Sequence, residues 1–350
     1  MEMAAGSMRP LLTAAIVVML GAALTACGGG GEERPQTAAE AAAANATALQ
    51  APARRAMAYN RAGITAIVAS ADGKTVAVAH SDGRVSLLDA TSRSEIKQLK
   101  AAGGSVAAGL IFSSDGRYLV TVDRDSLAQV WNVETGVRRL TLSGHEHPLR
   151  AVGASADGSV VATAGEETRV MVWDGSTGKL KRVLSGPSDF VNAVSVSPDG
   201  RSVASGDASA RILIWNAATG KVLATLRGHT NEVDAVAFSP DGRVLASAGE
   251  DGKVLVWDAT GGQVSTVLQS SGAPMRSLAF SSDGQLLAAG GADGRIKVWD
   301  MTARKMLSES ANSGAAVNAL TFGVGDRSEL LFGDGHSSVL SMSVSHQSAK

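Results

Sequence analysis

The stretch that decides the fold runs from Gly228 to Asp258 and reads GHTNEVDAVAFSPDGRVLASAGEDGKVLVWD. Two short β-type runs, VDAVAF and RVLASA, are separated by the turn signal SPDG at 239–242, and the turn at 250–252 precedes a third run, KVLVW. Each run has the length of one strand, and each turn reverses the direction of the chain. The stretch therefore predicts an antiparallel meander.

With its opening Gly-His and its closing Trp-Asp, this unit resembles a WD repeat, which forms one four-stranded blade of a β-propeller. The resemblance implies a structural, hydrogen-bonded tetrad that ties the strands of the blade together, formed by His229, Ser247, Asp251 and Trp257. In another copy, the same positions hold His145, Thr163, Glu167 and Trp173.

The unit recurs along the chain at a nearly constant period. All five tryptophans are 42 residues apart, at positions 131, 173, 215, 257 and 299. Leu88 lies 43 residues before the first of them and Ser341 lies 42 residues after the last, each in a strand-like run. Seven copies predict an all-β, seven-bladed propeller of four-stranded antiparallel blades over residues 53–345, followed by a short C-terminal tail at 346–350.

The copies keep the tetrad unequally. Blade two keeps Thr121, Asp125 and Trp131 but has no histidine, and blades one, four and seven depart further from the pattern. We therefore expect blades three to five to be the most stable part of the ring.

The seventh blade lacks an outer strand of its own. Each repeat ends with such a strand, for example KVLATL before Gly228, but the last copy stops at Ser345. In the alignment of the first copy, residues 53–58 (ARRAMA) fall on the outer-strand position. We predict that this segment closes the ring; the alternative is a three-stranded seventh blade preceded by a linker.

The N-terminus resembles an export signal. Arg9 precedes the apolar run LLTAAIVVMLGAALTA, which is short for a membrane span and is typical of a signal-peptide core. The run ends in LTAC, which resembles the lipobox of bacterial lipoproteins, in which the cysteine becomes the lipid-carrying N-terminus. The alternative is an ordinary export signal, but Cys27 is the only cysteine in the chain and occupies the lipobox position.

This resemblance implies a lipoprotein signal peptide over residues 1–26, lipidation at Cys27, and a membrane-anchored protein of the bacterial cell envelope that faces the periplasm. Gly28 after the cysteine favours the outer membrane over the inner one. Residues 27–52 are rich in glycine, alanine and small polar residues, which predicts a flexible tether.

The composition argues against several classes of function. Lys plus Arg number 32 against 33 Asp plus Glu, with no basic stripe in the sequence that would suggest nucleic acid as a partner. The six histidines show no metal-ligand or catalytic spacing, and His145-Glu146-His147 is explained as a blade histidine with loop neighbours. No phosphate loop, nucleophile elbow or dinucleotide fingerprint is present. We predict a monomeric, non-catalytic protein without cofactor or metal.

One position varies in a way that points to binding. It is the residue after the first apolar residue of each inner strand, and it is held by Thr65, Ala108, Arg150, Asn192, Asp234, Arg276 and Asn318. In a propeller this position lies at the entry of the central channel, and it resembles the place where WD-repeat proteins hold peptides. Six of the seven residues are polar, which solvation of the channel entry would also explain.

Arg150 and Arg276 are three blades apart, so we expect them to face each other across the channel and to clamp a carboxylate or an acidic peptide. Asp234, one blade from Arg276, competes by neutralising it. Phe190 is a candidate aromatic anchor, or packs on a neighbouring loop. Three further residues precede the tetrad acid of their blades and add charge to this face: Arg124, Glu166 and Glu250.

These observations predict a membrane-anchored protein-binding platform, a scaffold whose partners are proteins or peptides, acidic ones among them. Two alternatives remain open. One is an accessory subunit of an envelope assembly complex, with an obligate partner. The other is a small-ligand-binding or hydrolytic propeller with its site in the central channel, although the ring offers only one carboxylate, that of Asp234.

Overall fold

The computed structural model describes residues 57–58, 63–100, 105–260, 264–268, 272–323, 329–334 and 338–344. The predicted signal peptide, Cys27, the tether and the C-terminal tail lie outside the described residues. Within the described part of the chain, no helix has the length and the apolar character needed to cross a membrane.

The chain folds into seven four-stranded antiparallel sheets, which are the predicted blades. The strands of each blade are given from the channel outward. Blades one to three consist of β2 (Ile64–Ala69), β3 (Thr75–His80), β4 (Arg84–Asp89) and β5 (Glu95–Lys100) in blade one; β6 (Ala107–Phe112), β7 (Tyr118–Asp123), β8 (Ala128–Asn132) and β9 (Arg138–Leu142) in blade two; and β10 (Leu149–Ala154), β11 (Val160–Gly165), β12 (Arg169–Asp174) and β13 (Leu180–Ser185) in blade three.

Blades four to seven follow the same order. They consist of β14 (Val191–Val196), β15 (Ser202–Asp207), β16 (Arg211–Asn216) and β17 (Val222–Arg227) in blade four; β18 (Val233–Phe238), β19 (Val244–Gly249), β20 (Val254–Asp258) and β21 (Val264–Leu268) in blade five; β22 (Met275–Phe280), β23 (Leu286–Gly291), β24 (Ile296–Asp300) and β25 (Lys305–Glu309) in blade six; and β26 (Val317–Phe322), β27 (Glu329–Asp334), β28 (Ser338–Ser343) and β1 (Met57–Ala58) in blade seven.

The N-terminal strand completes the seventh blade. β1 pairs antiparallel with β28, with Met57 opposite Val339 and Ala58 opposite Ser338. The inner strand β2 of blade one also lies against β26 of blade seven. The predicted closure is confirmed for residues 57–58, while residues 53–56 are outside the described part of the chain.

The turn between the first two strands of each blade explains the recurring Asp-Gly. In blade five, the Ser239 hydroxyl donates to Asp241 at 2.5 Å and accepts the Val244 amide at 3.0 Å. Gly242 has a φ of 71°, a conformation that costs glycine little and other residues more. The hydrogen bonds and the glycine together hold the two strands in register.

The blades share their apolar core. Trp173, Trp215, Trp257 and Trp299 are buried, and each packs against residues of a neighbouring blade. Trp215 of blade four, for example, packs in one cluster with Ala162 and Val170 of blade three. Because each blade covers the face of the next, the ring behaves as one domain.

Every inner strand carries a β-bulge at the same place. In β18, Val233 is opposite Gly249 and Ala235 is opposite Ala248, so that Asp234 is the extra residue. The same shift occurs in all seven blades, and the bulge residues are Thr65, Ala108, Arg150, Asn192, Asp234, Arg276 and Asn318. A bulge changes the direction of a side chain, and these are the positions that the sequence places at the channel entry.

Candidate functional site

The seven inner strands surround a cavity of about 210 Å³. Six bulge residues line it: Thr65, Ala108, Arg150, Asn192, Asp234 and Asn318. Blade six contributes Ser277 and Leu278 to the lining instead of Arg276. The seven bulge residues with the charged residues that contact them are called the channel mouth below.

Blades seven and one present neutral bulge residues, Asn318 and Thr65, and blade six adds the neutral Ser277 to the cavity lining next to its charged bulge residue Arg276. The Thr65 hydroxyl donates to the Ala107 carbonyl oxygen at 2.6 Å, and the Ser277 hydroxyl donates to the Val317 carbonyl oxygen at 3.2 Å. Both bonds join the inner strands of adjacent blades. This side of the mouth is therefore tied together by hydroxyl groups rather than by charges.

Arg150 is the centre of a charged network over blades two to four. Its guanidinium donates to Glu166 at 3.0 Å and to the Asn192 side-chain oxygen at 2.7 Å. Arg124 approaches the same Glu166 carboxylate at 3.8 Å. The Phe190 ring lies 5.8 Å from the Arg150 guanidinium, within the range of a cation–π contact. Four of the predicted residues thus meet around one arginine.

The network continues into blades five and six through a residue that the sequence analysis missed. The Asn192 amide donates to the Glu232 carboxylate at 3.2 Å, and Arg276 lies 3.7 Å from Glu250. Glu232 precedes the inner strand β18, two residues before Asp234. In the sequence, only its position in a polar loop, two residues before the bulge residue Asp234, indicates that Glu232 lies at the channel mouth.

Asp234 is the exceptional group of the mouth. Both of its carboxylate oxygens are buried, and neither accepts a hydrogen bond within the described part of the chain. The pKa of Asp234 is raised to about 8, first by burial and then by the nearby carboxylates of Glu250 and Glu232, which together outweigh the lowering by Arg276. The carboxyl group is therefore largely protonated at neutral pH and can donate its proton to Glu250. Glu250, rather than Asp234, is the carboxylate that pairs with Arg276.

The geometry bears directly on the predicted clamp. Arg150 and Arg276 each have a carboxylate of the same chain beside them, Glu166 and Glu250. An acidic ligand would have to compete with these internal partners. The mouth as a whole offers alternating positive and negative groups, which suits a partner of mixed charge.

Comparison with protein families identifies the repeat. The family model described as WD domain, G-beta repeat (WD40) matches residues 220–258 and 262–300. Two consecutive units of the seven-bladed propeller thus match the WD40 repeat. The family model described as Cytochrome D1 heme domain matches residues 71–225. A search of curated proteins found no match.

The extent of the WD40 match explains how the ring closes. Residues 220–258 include β17, the outer strand of blade four, and the first three strands of blade five. Each WD40 repeat therefore spans two blades. In blade seven this outer position is held by β1, from residues 57–58.

The predicted WD40 tetrads form in blades three and five. In blade five, His229 contacts Asp251 at 3.0 Å and Ser247 at 2.8 Å, and the Trp257 indole donates to Ser247 at 2.8 Å. In blade three, His145 contacts Glu167 and lies 2.7 Å from the Thr163 hydroxyl, which also accepts the Trp173 indole at 2.7 Å. Burial lowers the pKa of both histidines, so each is held in its neutral form.

The tetrad predicted for blade two is only partly correct. The Trp131 indole donates to Thr121 at 3.0 Å, as expected. Asp125, however, is exposed, and the buried acid is Asp123 at the end of β7. Asp123 accepts the amides of Asp125 and Leu127 at 3.0 and 3.1 Å, because only its position lets the carboxylate turn into the blade.

The match to a haem-domain family calls for a test of whether haem fits. Haem iron takes an axial histidine, cysteine, methionine or tyrosine, and the cavity lining contains none of these residues. A cavity of about 210 Å³ is also smaller than the roughly 300–1,000 Å³ typical of sites for drug-sized ligands. Among the described residues, no three histidine, cysteine or acidic side chains form a metal-binding group. As the described residues line it, the channel of the propeller does not suit haem.

Proposed function

We propose that the chain is a lipid-anchored protein-binding platform of the bacterial cell envelope, facing the periplasm and without catalytic activity of its own. WD40 propellers generally mediate protein–protein interactions. The observation that carries the proposal is the channel mouth, where bulges in four consecutive inner strands and the loops beside them present a network of arginine, asparagine and carboxylate side chains.

The network supports partner recognition rather than chemistry. Its arginines are held by Glu166, Asn192 and Glu250, so that little side-chain entropy is lost when a partner binds. Paired charges at a surface contribute more to specificity and to the rate of association than to affinity. Phe190 beside Arg150 adds an aromatic contact of the kind that dominates protein interfaces.

The envelope location is supported by the sequence at Cys27 alone. Metabolic labelling with a fatty acid tests it, with Cys27→Ser as the control. Label on the wild-type protein and none on the variant is the expected result. A wild-type chain that takes up no lipid would contradict the anchor without affecting the platform.

The platform is tested by capturing partners from cross-linked membranes with the wild-type chain and with an Arg150→Glu/Arg276→Glu double variant. A matched control is Arg201→Glu/Arg243→Glu, which makes the same change in charge at exposed turn residues. We expect a specific partner with the wild type and the control that is lost with the mouth variant. Identical capture by all three proteins would contradict the proposal. A partner present in equal amount in every preparation would favour the accessory-subunit alternative.

A further inference from the structure

The outer rim of the propeller carries the large apolar side chains that are exposed in the described part of the chain. They are Ile96, Val137, Leu180, Val183, Val222, Leu223, Val267, Met306 and Leu307, exposed by 39% to 63%. Each lies on an outermost strand or directly before one. Five of the nine belong to three consecutive blades, two to four, which makes them neighbours on one side of the ring.

The same three outer strands are strongly basic. The segments 137–142, 179–185 and 221–227 contain no aspartate or glutamate, and they contain seven exposed cations: Arg138, Arg139, Lys179, Lys181, Arg182, Lys221 and Arg227. The whole chain has a net charge of -1, so this is a local concentration of charge. These three segments are called the basic rim.

Part of this charge is unpaired. Lys181 lies 2.9 Å from Asp174, and Arg182 donates to the Ala218 carbonyl oxygen at 2.9 Å. Of the remaining cations, one from each blade of the basic rim, Arg138, Lys179 and Lys221, forms no ion pair with the described residues. The basic rim thus combines exposed apolar side chains with cations that have no counter-ion among the described residues.

We propose that the basic rim docks on an anionic phospholipid surface. Exposed apolar side chains among cations are what an interfacial membrane contact requires, since the apolar groups enter the headgroup layer and the cations meet the lipid phosphates. The three segments contain cations and no acidic residue, so their charge has one sign, which complements a surface of anionic lipids. The channel mouth is formed by inner strands and remains open to partners in this arrangement.

The inference rests on the envelope location proposed above, and the chain length is compatible with it. Cys27 and Met57 are 30 residues apart, and an extended chain of that length reaches at most about 100 Å. A lipid at Cys27 therefore places no restriction on which side of the ring meets the membrane.

The test measures partition of the full chain onto vesicles of phosphatidylcholine, alone and mixed with phosphatidylglycerol. The rim variant is Arg138→Glu/Lys179→Glu/Lys221→Glu, with one reversal in each blade. Its matched control is Lys74→Glu/Arg243→Glu/Lys305→Glu, which reverses three exposed cations of blades one, five and six. Circular dichroism and Tm verify that all variants fold.

We expect the rim variant to lose on the order of 100-fold in partition onto the anionic vesicles, and the control to lose little. Val222→Ser/Leu223→Ser should weaken binding to the same vesicles by about tenfold. Equal losses for the rim variant and the control would overturn the proposal, because the effect would then be one of total charge.

Cys27→Ser in each background separates the rim from the anchor. If the anchor proposal fails and the rim proposal holds, Cys27→Ser changes nothing while the rim variant still loses binding to anionic vesicles. If the rim proposal fails, Cys27→Ser lowers binding to both kinds of vesicle and the rim variant binds like the wild type.

Discussion

Blades three and five hold their strands together with a histidine, whereas blades two and four use an aspartate at a different position. In blade five, His229 reaches Ser247 and Asp251, and the second strand ends in Gly249. In blade four, Pro187 stands where blade five has the histidine, and the second strand ends in the buried Asp207. That carboxylate accepts the amides of residues 209 and 211, both at 3.0 Å.

The two solutions exclude each other within one blade. A Cβ on Gly249 would lie 2.4 Å from the Glu232 carbonyl oxygen and 3.2 Å from His229 Nδ1. In blade three, a Cβ on Gly165 would lie 2.0 Å from the Pro148 carbonyl oxygen. In both histidine blades the second strand ends in glycine, whereas in blades two and four it ends in an aspartate whose side chain occupies this space. Blade six has no histidine and ends its second strand in Gly291.

What the two kinds of blade share is the other half of the tetrad. The tryptophan indole donates to a serine or threonine of the second strand at 3.0, 2.7, 3.2 and 2.8 Å in blades two to five. In blades two to five a buried acceptor therefore holds the strands together, and the residue that supplies it differs between blades.

The largest effect is expected when an aspartate is placed at the end of the second strand in a blade that uses the histidine. Gly249→Asp in blade five should lower the free energy of unfolding by about 4 kcal/mol, because the new side chain meets the Glu232 carbonyl oxygen and His229. Adding His229→Ala should restore part of the loss. Chemical denaturation of the two single variants and the double variant measures this coupling.

The control for this cycle combines His229→Ala with the same glycine-to-aspartate change at a position that is not in contact with the histidine. Gly242→Asp, at a turn glycine with a φ of 71°, introduces strain but no contact with His229. Its effect should add to that of His229→Ala. Additive losses for Gly249→Asp and His229→Ala would show that the histidine and an aspartate at the strand end do not exclude each other.

Removal of the aspartate from an aspartate blade should have the next largest effect. Asp207→Ala leaves the amides of Ser209 and Arg211 and the Arg211 guanidinium without their acceptor, and should cost about 2–3 kcal/mol. Asp199→Ala is the matched control, since Asp199 accepts similar bonds in an exposed turn. A cost no greater than that of the control would mean that blade four does not depend on its buried acid.

The blades themselves could be predicted from the sequence because their signals are local and periodic. The tryptophan spacing and the Asp-Gly turns define seven hairpin units, and the absence of an outer strand after residue 345 predicted closure by the N-terminus. The role of the buried aspartates in blades two and four could not be predicted in this way. In the sequence Asp123 and Asp207 are only the last residues of strand-like runs, and in blade two alignment to blade five selects the exposed Asp125 instead.

The candidate site shows the same division. The seven bulge positions could be predicted because they recur in the sequence at a spacing of 42 or 43 residues, each within an inner strand. The partners of Arg150 and Arg276 could not, because they depend on the direction of side chains from neighbouring loops. Glu232 was missed for this reason, and so was the assignment of Glu250 rather than Asp234 to Arg276.

The stability of the fold should depend on alkaline pH through Asp234, which accepts no hydrogen bond from the described residues, unlike Asp207. The folded pKa of Asp234 is raised to about 8, so the stability that its neutral form contributes is lost as the pH rises through that value. Between pH 7 and pH 9 the free energy of unfolding should fall by about 1.4 kcal/mol. Asp234→Asn, which stays neutral, should remove this fall, and denaturation curves at the two pH values measure it. An unchanged alkaline fall in the variant would assign it to another group.

The smallest expected effect separates the histidine blades from the aspartate blades in acid. Burial lowers the folded pKa of His229, so its contribution is complete above the unfolded pKa near 6.5 and is lost as the pH falls through the folded value. Burial raises the folded pKa of Asp123, so protonation in acid favours blade two. From pH 7 to pH 5.5, hydrogen exchange should show blade five losing protection relative to blade two. His229→Gln should abolish the difference, because glutamine has no charged form; a difference that persists in this variant would show that the histidine is not its source.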